Sequence, residues 1–338
     1  MDNLDQPHGP GPEVAGAPLV AVPWRLLALP PLPHDLLEAL FGDPRIELVT
    51  PAERTQEQVD ALLPTVDLVL GDWSPLLTLK DPGPRVALVQ QPSAGVDGID
   101  LEACTRRGTP VANCAGANAT SVAEWCVSAT FALVKRTVEA DAAVRRGEWP
   151  QTSLGSRELA GQHVGVVGMG AIGRRTSSLF QALDCTVTYW SRSEHADAPV
   201  PYQPLDALLA TSDIVVLVIA LGPQTRGLLD ATRIATLKPG ALVVNGARGD
   251  VVDEQALLEA LRSGRIRAAT DVYAVEPLPP ASGLLDVPGL LLSPHAAGST
   301  QEAAMRIIGQ AKANLLRALD GEPVQDVVNA VDPFVRRR

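Results

Sequence analysis

The chain has 338 residues, of which 46% are hydrophobic and 20% charged, with a formal net charge of −11. The length accommodates two domains of ordinary size, and the hydrophobic share supports a sizeable core and excludes global disorder. The acidic balance argues against nucleic acid as a partner, and the longest apolar run, residues 214–221, is too short to cross a membrane.

Residues 1–20 are rich in proline and glycine and lack the apolar stretch of a signal sequence, so they read as a flexible tail. Strands are expected at 24–29, 46–49, 66–70, 86–90 and 111–113, with helices at 35–41 and 55–63 between them. This alternation predicts a parallel sheet covered on both faces. Residues 118–147 have few breakers and an apolar stripe through Val122, Trp125, Cys126, Ala129, Leu133 and Val134. They read as one long helix capped by Asn118 or Thr120. Next come a strand at 162–167, a glycine turn, a helix at 174–183 and a strand at 186–190. Helices at 204–210, 230–236 and 253–263 then alternate with strands at 214–220, 241–245, 267–272 and 290–292. A last helix at 301–319 is expected to return to the first unit.

Cys104, Cys114, Cys126 and Cys185 show neither paired spacing nor histidines at metal-binding distance in the sequence. They read as reduced thiols of a cytoplasmic protein, with no metal site.

The turn GMGAIG spans Gly168 to Gly173 between a strand and a helix. Gly168 permits the tight turn, Gly170 lets backbone approach a pyrophosphate, and Gly173 lets helix pack on strand. The amides near Ala171 and Ile172 would then face the negative charge. A site for NAD commonly ends its second strand with an acid that binds the ribose hydroxyl. Here neither Trp190 nor Ser191 is acidic, and Ser191 with Arg192 suits a 2′-phosphate. NADP(H) is therefore the favoured expectation and NAD(H) the alternative.

Three polar residues follow successive strands of the same expected sheet: Arg248, Glu276 and His295. Carbonyl reduction needs a proton donor and a means of holding the substrate. A histidine can move the proton, a carboxylate can orient it, and an arginine can bind a carboxylate and polarise a carbonyl. The other histidines, His8, His34, His163 and His195, lack such settings.

At these residues the chain resembles the D-isomer-specific 2-hydroxyacid dehydrogenase family. The matching segments are SAGVDGID (93–100), SVAE (121–124), VGVVGMGAIG (164–173), NGARGDVVD (245–253), DVYAVEP (271–277) and SPHAAGST (293–300). The resemblance implies an α/β protein with two Rossmann-like doubly wound parallel-sheet domains and a cleft between them. Residues 21–117 plus 299–338 would form the substrate domain and 118–298 the dinucleotide-binding domain. It also implies that Arg248 binds substrate, that His295 is the general acid/base paired with Glu276, and that Asp271 contacts the nicotinamide amide. The backbone amides of Ala94, Gly95 and Val96 would hold the substrate carboxylate, with loops near Trp73, Ser74, Ser93 and Ala94 reading its side chain. The family is usually dimeric through the 118–147 region. The expected activity is reduction of a small 2-oxo acid, of glyoxylate or hydroxypyruvate type, to a D-2-hydroxy acid. Formate or phosphite oxidation and a nucleotide-sensing corepressor role are the alternatives.

Overall fold

The structure is a computed structural model, described here for residues 22–73 and 77–338. The elements run in chain order β1 (Trp24–Ala28), α1 (His34–Phe41), β2 (Ile46–Val49), α2 (Gln56–Leu62), β3 (Leu68–Leu70), β4 (Leu88–Gln90), α3 (Leu101–Arg107) and β5 (Val111–Ala112). They continue with α4 (Ala119–Lys135), α5 (Thr137–Arg145), β6 (His163–Val167), α6 (Ala171–Ala182), β7 (Thr186–Trp190), α7 (Leu205–Thr211) and β8 (Ile214–Leu217). The last are α8 (Ala231–Thr236), β9 (Leu242–Asn245), α9 (Glu254–Arg262), β10 (Arg267–Thr270), β11 (Leu290–Leu292) and α10 (Gln301–Asp320).

The strands form two sheets in which every ladder is parallel, ordered β2-β1-β3-β4-β5 and β11-β10-β9-β8-β6-β7. Parallel strands need crossovers, and helices supply them on both faces, so the strand interiors are apolar throughout. Ile214, Val215, Val216 and Leu217 of β8, for example, are all buried. In the second sheet α7, α8 and α9 pack on one face, while α4 and α6 cover the other. In the first sheet α1 and α10 share a face: Leu37 and Phe41 meet Ala311, Leu315 and Ala318 over β1, β3 and β4. The last helix therefore returns to the first sheet, as its position in the sequence predicts. Strand order reverses beside β1 in one sheet and beside β6 in the other, and such reversals open the crevices where α/β sheets bind ligands.

Several expectations are corrected. The single helix at 118–147 is two helices, because Arg136 adopts a left-handed φ of 51° between α4 and α5. The break is stabilised from outside. Arg267 Nη1 donates to the Leu133 carbonyl at 2.5 Å, the Arg157 amide to Val134 at 3.0 Å, and Ser156 Oγ to Lys135 at 2.8 Å. The last carbonyls of α4 thus have partners without a continuing helix. Asn118 occupies the position before α4 but makes no side-chain capping bond. The helix after the glycine turn starts at Ala171 rather than at residue 174. Helix α3 was not anticipated, although Asp100 caps it through the Ala103 amide at 2.8 Å and Gly108 ends it in a left-handed turn.

All four cysteines are free and buried, and burial pushes Cys104, Cys114 and Cys126 up to about 12, so these thiols are not nucleophiles. Among the described residues no helix is long and apolar enough to cross a membrane.

Candidate active site

Parallel strands place every carboxyl end on one edge, and both sheets turn that edge to the same cavity of about 740 Å³. The first sheet contributes Leu29 after β1, Asp72 and Trp73 after β3, and Ser93, Ala94, Gly95 and Asp97 after β4. The second contributes Arg248 after β9, Asp271, Tyr273 and Glu276 after β10, and His295 after β11. The three polar residues singled out in the sequence therefore share one cavity with the expected carboxylate-binding loop. Ser74 lies outside the described residues. His8 does too.

His295 Nδ1 lies 2.6 Å from Glu276 Oε2. A carboxylate in its ionised form only accepts, which would put the hydrogen on Nδ1 and leave Nε2 able to exchange a proton with a ligand. The second Glu276 oxygen accepts the Tyr273 amide at 2.9 Å, which fixes the carboxylate. His295 itself has a left-handed φ of 54°, an uncommon conformation for a residue with a side chain. Asp271 holds that turn in place. Its carbonyl accepts the His295 amide at 2.8 Å, and its carboxylate accepts Ser293 Oγ at 2.6 Å and the Ala296 and Ala297 amides at 2.8 Å each. Asp271 lines the cavity, yet it is only 2% exposed and its carboxylate is committed to the loop that carries His295.

The loop at 93–96 is built to leave donors free. Asn113 Nδ2 ties down the Ala94 carbonyl at 2.7 Å, and Ser93 Oγ ties down the Gly95 carbonyl at 2.8 Å. Gln91 in turn donates to Ser93 Oγ at 2.9 Å. Among the described residues the amides of Ala94, Gly95 and Val96 have no acceptor. The Val96 side chain packs on the core beneath. Arg248 reaches across to this loop: its Nε donates to Asp97 Oδ2 at 2.9 Å and its Nη1 to the Ala247 carbonyl at 2.6 Å. Asp97, Asn113 and Tyr273 lie within the segments 93–100, 111–113 and 271–277, where their types alone assign them no task.

The glycine turn fits a dinucleotide. A Cβ on Gly168, at φ 108°, would stand 2.7 Å from the Val218 carbonyl, and one on Gly173 would overlap the Gly168 carbonyl. These two glycines serve the protein's own packing. Gly170 differs, because a Cβ there would meet nothing within 4 Å. Gly170 sits at the N-terminus of α6, whose first turn contains no acid and no side-chain cap. The amides of Ala171, Ile172 and Gly173 are thus free to face an anion. At the end of β7 neither Trp190 nor Ser191 is acidic, Arg192 is exposed and without a partner among the described residues, and Arg174 is engaged with Asp197. Ser191 is buried and its hydroxyl donates to the Ser193 carbonyl at 2.6 Å, so Arg192 is the free donor at this strand end.

Residues 127–297 match the family described as D-isomer specific 2-hydroxyacid dehydrogenase, NAD binding domain. A glyoxylate reductase from Thermofilum pendens is 36% identical over 259 residues, which cover 74% of this chain and 76% of that protein. A D-3-phosphoglycerate dehydrogenase from Mycobacterium leprae is 36% identical over 251 residues, covering 73% of this chain and 47% of that protein. The chain therefore spans about half the length of that phosphoglycerate dehydrogenase. The solved structure of an NAD-dependent formate dehydrogenase from Staphylococcus aureus in complex with NAD aligns with a TM-score of 0.80 and 25% identity, over 90% of this chain and 98% of that one. The chain belongs to the D-isomer specific 2-hydroxyacid dehydrogenase family.

Proposed function

We propose that the protein reduces a small 2-oxo acid to a D-2-hydroxy acid with a nicotinamide cofactor, favouring NADP(H) over NAD(H). The observation that carries this is the convergence of Arg248, the His295–Glu276 pair and the loop of Ala94 and Gly95, whose amides are free, on one cavity. The substrate carboxylate is gripped by these amides and by the guanidinium, which also polarises the 2-oxo group. His295 Nε2 gives the carbonyl oxygen its proton, while Glu276 holds the ring in the required tautomer. The cofactor, when bound, supplies the hydride. Gly168, Gly170, Ala171, Ile172 and Gly173 would cradle its pyrophosphate, and Asp271 would adjoin its nicotinamide. Arg192, with no acid at the end of β7, supports the preference for a 2′-phosphate.

The charge of the cavity favours a substrate of glyoxylate or hydroxypyruvate type. Its described walls carry Asp72, Asp97, Asp250, Asp271 and Glu276 but a single guanidinium, Arg248. Arg54 and Arg226, which contact two of these acids, are spent on Asp72 and Asp250. A phosphate on the substrate side chain would bring nearly two more negative charges with no second cation to meet them. The same reading places residues 21–117 with 299–338 on the substrate side and 118–298 on the cofactor side. It pairs two copies through the 118–147 region, where Val138 and Val144 of α5 stand exposed.

The test is a panel of glyoxylate, hydroxypyruvate, phosphohydroxypyruvate and formate, each assayed with both nicotinamides by cofactor absorbance. NADPH-dependent turnover of the first two, well above the others, is the expected outcome. Turnover restricted to formate, or absent with every 2-oxo acid, refutes the reading.

A further inference from the structure

We propose that Asp97 is a positioning residue for Arg248, setting the guanidinium so that its free edge meets the substrate carboxylate; this rests on the function proposed above. A guanidinium is a planar fork of five N–H donors, and two acceptors on different nitrogens fix both its plane and its rotation. Asp97 Oδ2 takes Nε–H at 2.9 Å and the Ala247 carbonyl takes Nη1–H at 2.6 Å. Nη2 is left without a partner among the described residues. It lies against Gly95, where a Cβ would overlap it. The free nitrogen therefore sits beside the loop whose amides are also free.

The arrangement is economical in sequence but long in range. Gly95 and Asp97 are two residues apart on the loop after β4, while Arg248 follows β9 in the other sheet. Glycine at 95 admits the guanidinium, and the carboxylate at 97 orients it. A Cβ on Gly95 would also stand only 2.8 Å from Asp97 Oδ2, so the three groups are in mutual contact. The Arg248–Asp97 contact joins loops from both sheets. Without it, Arg248 would keep a single tether to its own neighbour and a mobile head.

An opposing effect exists, because Asp97 also repels the incoming carboxylate. Asp97 is 49% exposed, so water screens that repulsion, whereas the bond to Nε is direct. The positional effect therefore dominates. Asparagine at 97 separates the two, since it keeps an acceptor and removes the charge.

The experiment uses the full chain and steady-state kinetics with glyoxylate and NADPH, for Asp97→Ala and Asp97→Asn, alone and in an Arg248→Lys background. Asp97→Ala should raise KM for glyoxylate about tenfold or more, the scale of losing one charge-assisted hydrogen bond, with KM for NADPH unchanged. Asp97→Asn should recover most of that loss. In the Arg248→Lys background, which lacks the fork, Asp97→Ala should change kcat/KM by less than about twofold, because coupled residues are not additive. A wild-type KM in Asp97→Ala, a lowered KM, or an equal cost in both backgrounds overturns the positioning role while leaving the proposed activity intact. A wild-type protein that reduces no 2-oxo acid overturns both.

Discussion

Replacing Gly170 with alanine separates what a glycine does for the protein from what it does for a ligand. Its φ of −77° suits any residue, and a Cβ there would meet nothing within 4 Å. Alanine is a poorer residue than glycine before a helix, by about 1 kcal/mol or less. It also restricts the unfolded chain, which returns about 0.4–1 kcal/mol. The melting temperature should therefore barely move. The new methyl group would occupy open space at the N-terminus of α6, where a phosphate would sit on the free amides. Losing one such charge-assisted bond costs about 1.5–3 kcal/mol, which weakens NADPH binding roughly ten- to a hundredfold. Gly173→Ala should do the reverse, because its Cβ overlaps the Gly168 carbonyl, a backbone group that cannot rotate away. That variant should lose about 1–3 kcal/mol of stability or more. Thermal melts and a titration of NADPH fluorescence decide the matter. Tight NADPH binding by Gly170→Ala, or a wild-type melt for Gly173→Ala, would refute the division of labour.

Arg192→Glu should lower kcat/KM with NADPH about tenfold or more and spare or improve NADH; an unchanged ratio between the cofactors removes the argument from β7. His295→Ala should cut kcat about a hundredfold or more, the usual worth of a positioned general acid, and Glu276→Gln should follow in the same direction. Wild-type turnover by either variant contradicts the assigned proton path. Burial alone would raise the pKa of Asp67, but the Arg25 amide, Arg85 and Arg337 outweigh it and hold the carboxyl below its ordinary value. A depressed carboxylate contributes stability above its unfolded value of about 4 and loses it as pH falls through the folded value. Thermal stability should therefore drop on acidification below roughly pH 5, and less steeply in Asp67→Asn. Identical pH dependence in the two proteins would count against this account.

The candidate trio was legible because sequence order becomes spatial order at a parallel sheet. Arg248, Glu276 and His295 each follow a strand, and the carboxyl ends of β9, β10 and β11 lie on one edge. The glycine turn was legible for the same reason. What escaped depends on residues far apart in the chain. Arg136 breaks α4 from α5 without glycine or proline, because Arg267, 134 positions from Leu133, supplies the donor that ends the helix. Asp97 lies 151 residues from the guanidinium it touches, so no local pattern assigns it a task. Ser191 and Arg192 together read as phosphate donors from their types alone, and only the bond from Ser191 Oγ to the Ser193 carbonyl shows that the hydroxyl is already engaged. Helix α3 carried ordinary signals, the cap at Asp100 and the stop at Gly108, but at seven residues it is too short for apolar periodicity to reveal.

The return of α10 to the first sheet also dictates an order of events during synthesis. Ala311, Leu315 and Ala318 cover a face of β1, β3 and β4 that nothing between residues 42 and 111 replaces. The second sheet, by contrast, takes all its strands from residues 163–292. As the chain emerges from the ribosome, the second sheet can close its core while the first sheet still exposes Leu26, Leu68 and Leu88 on one side. The earlier sheet is thus completed after the later one, once α10 covers its open apolar face.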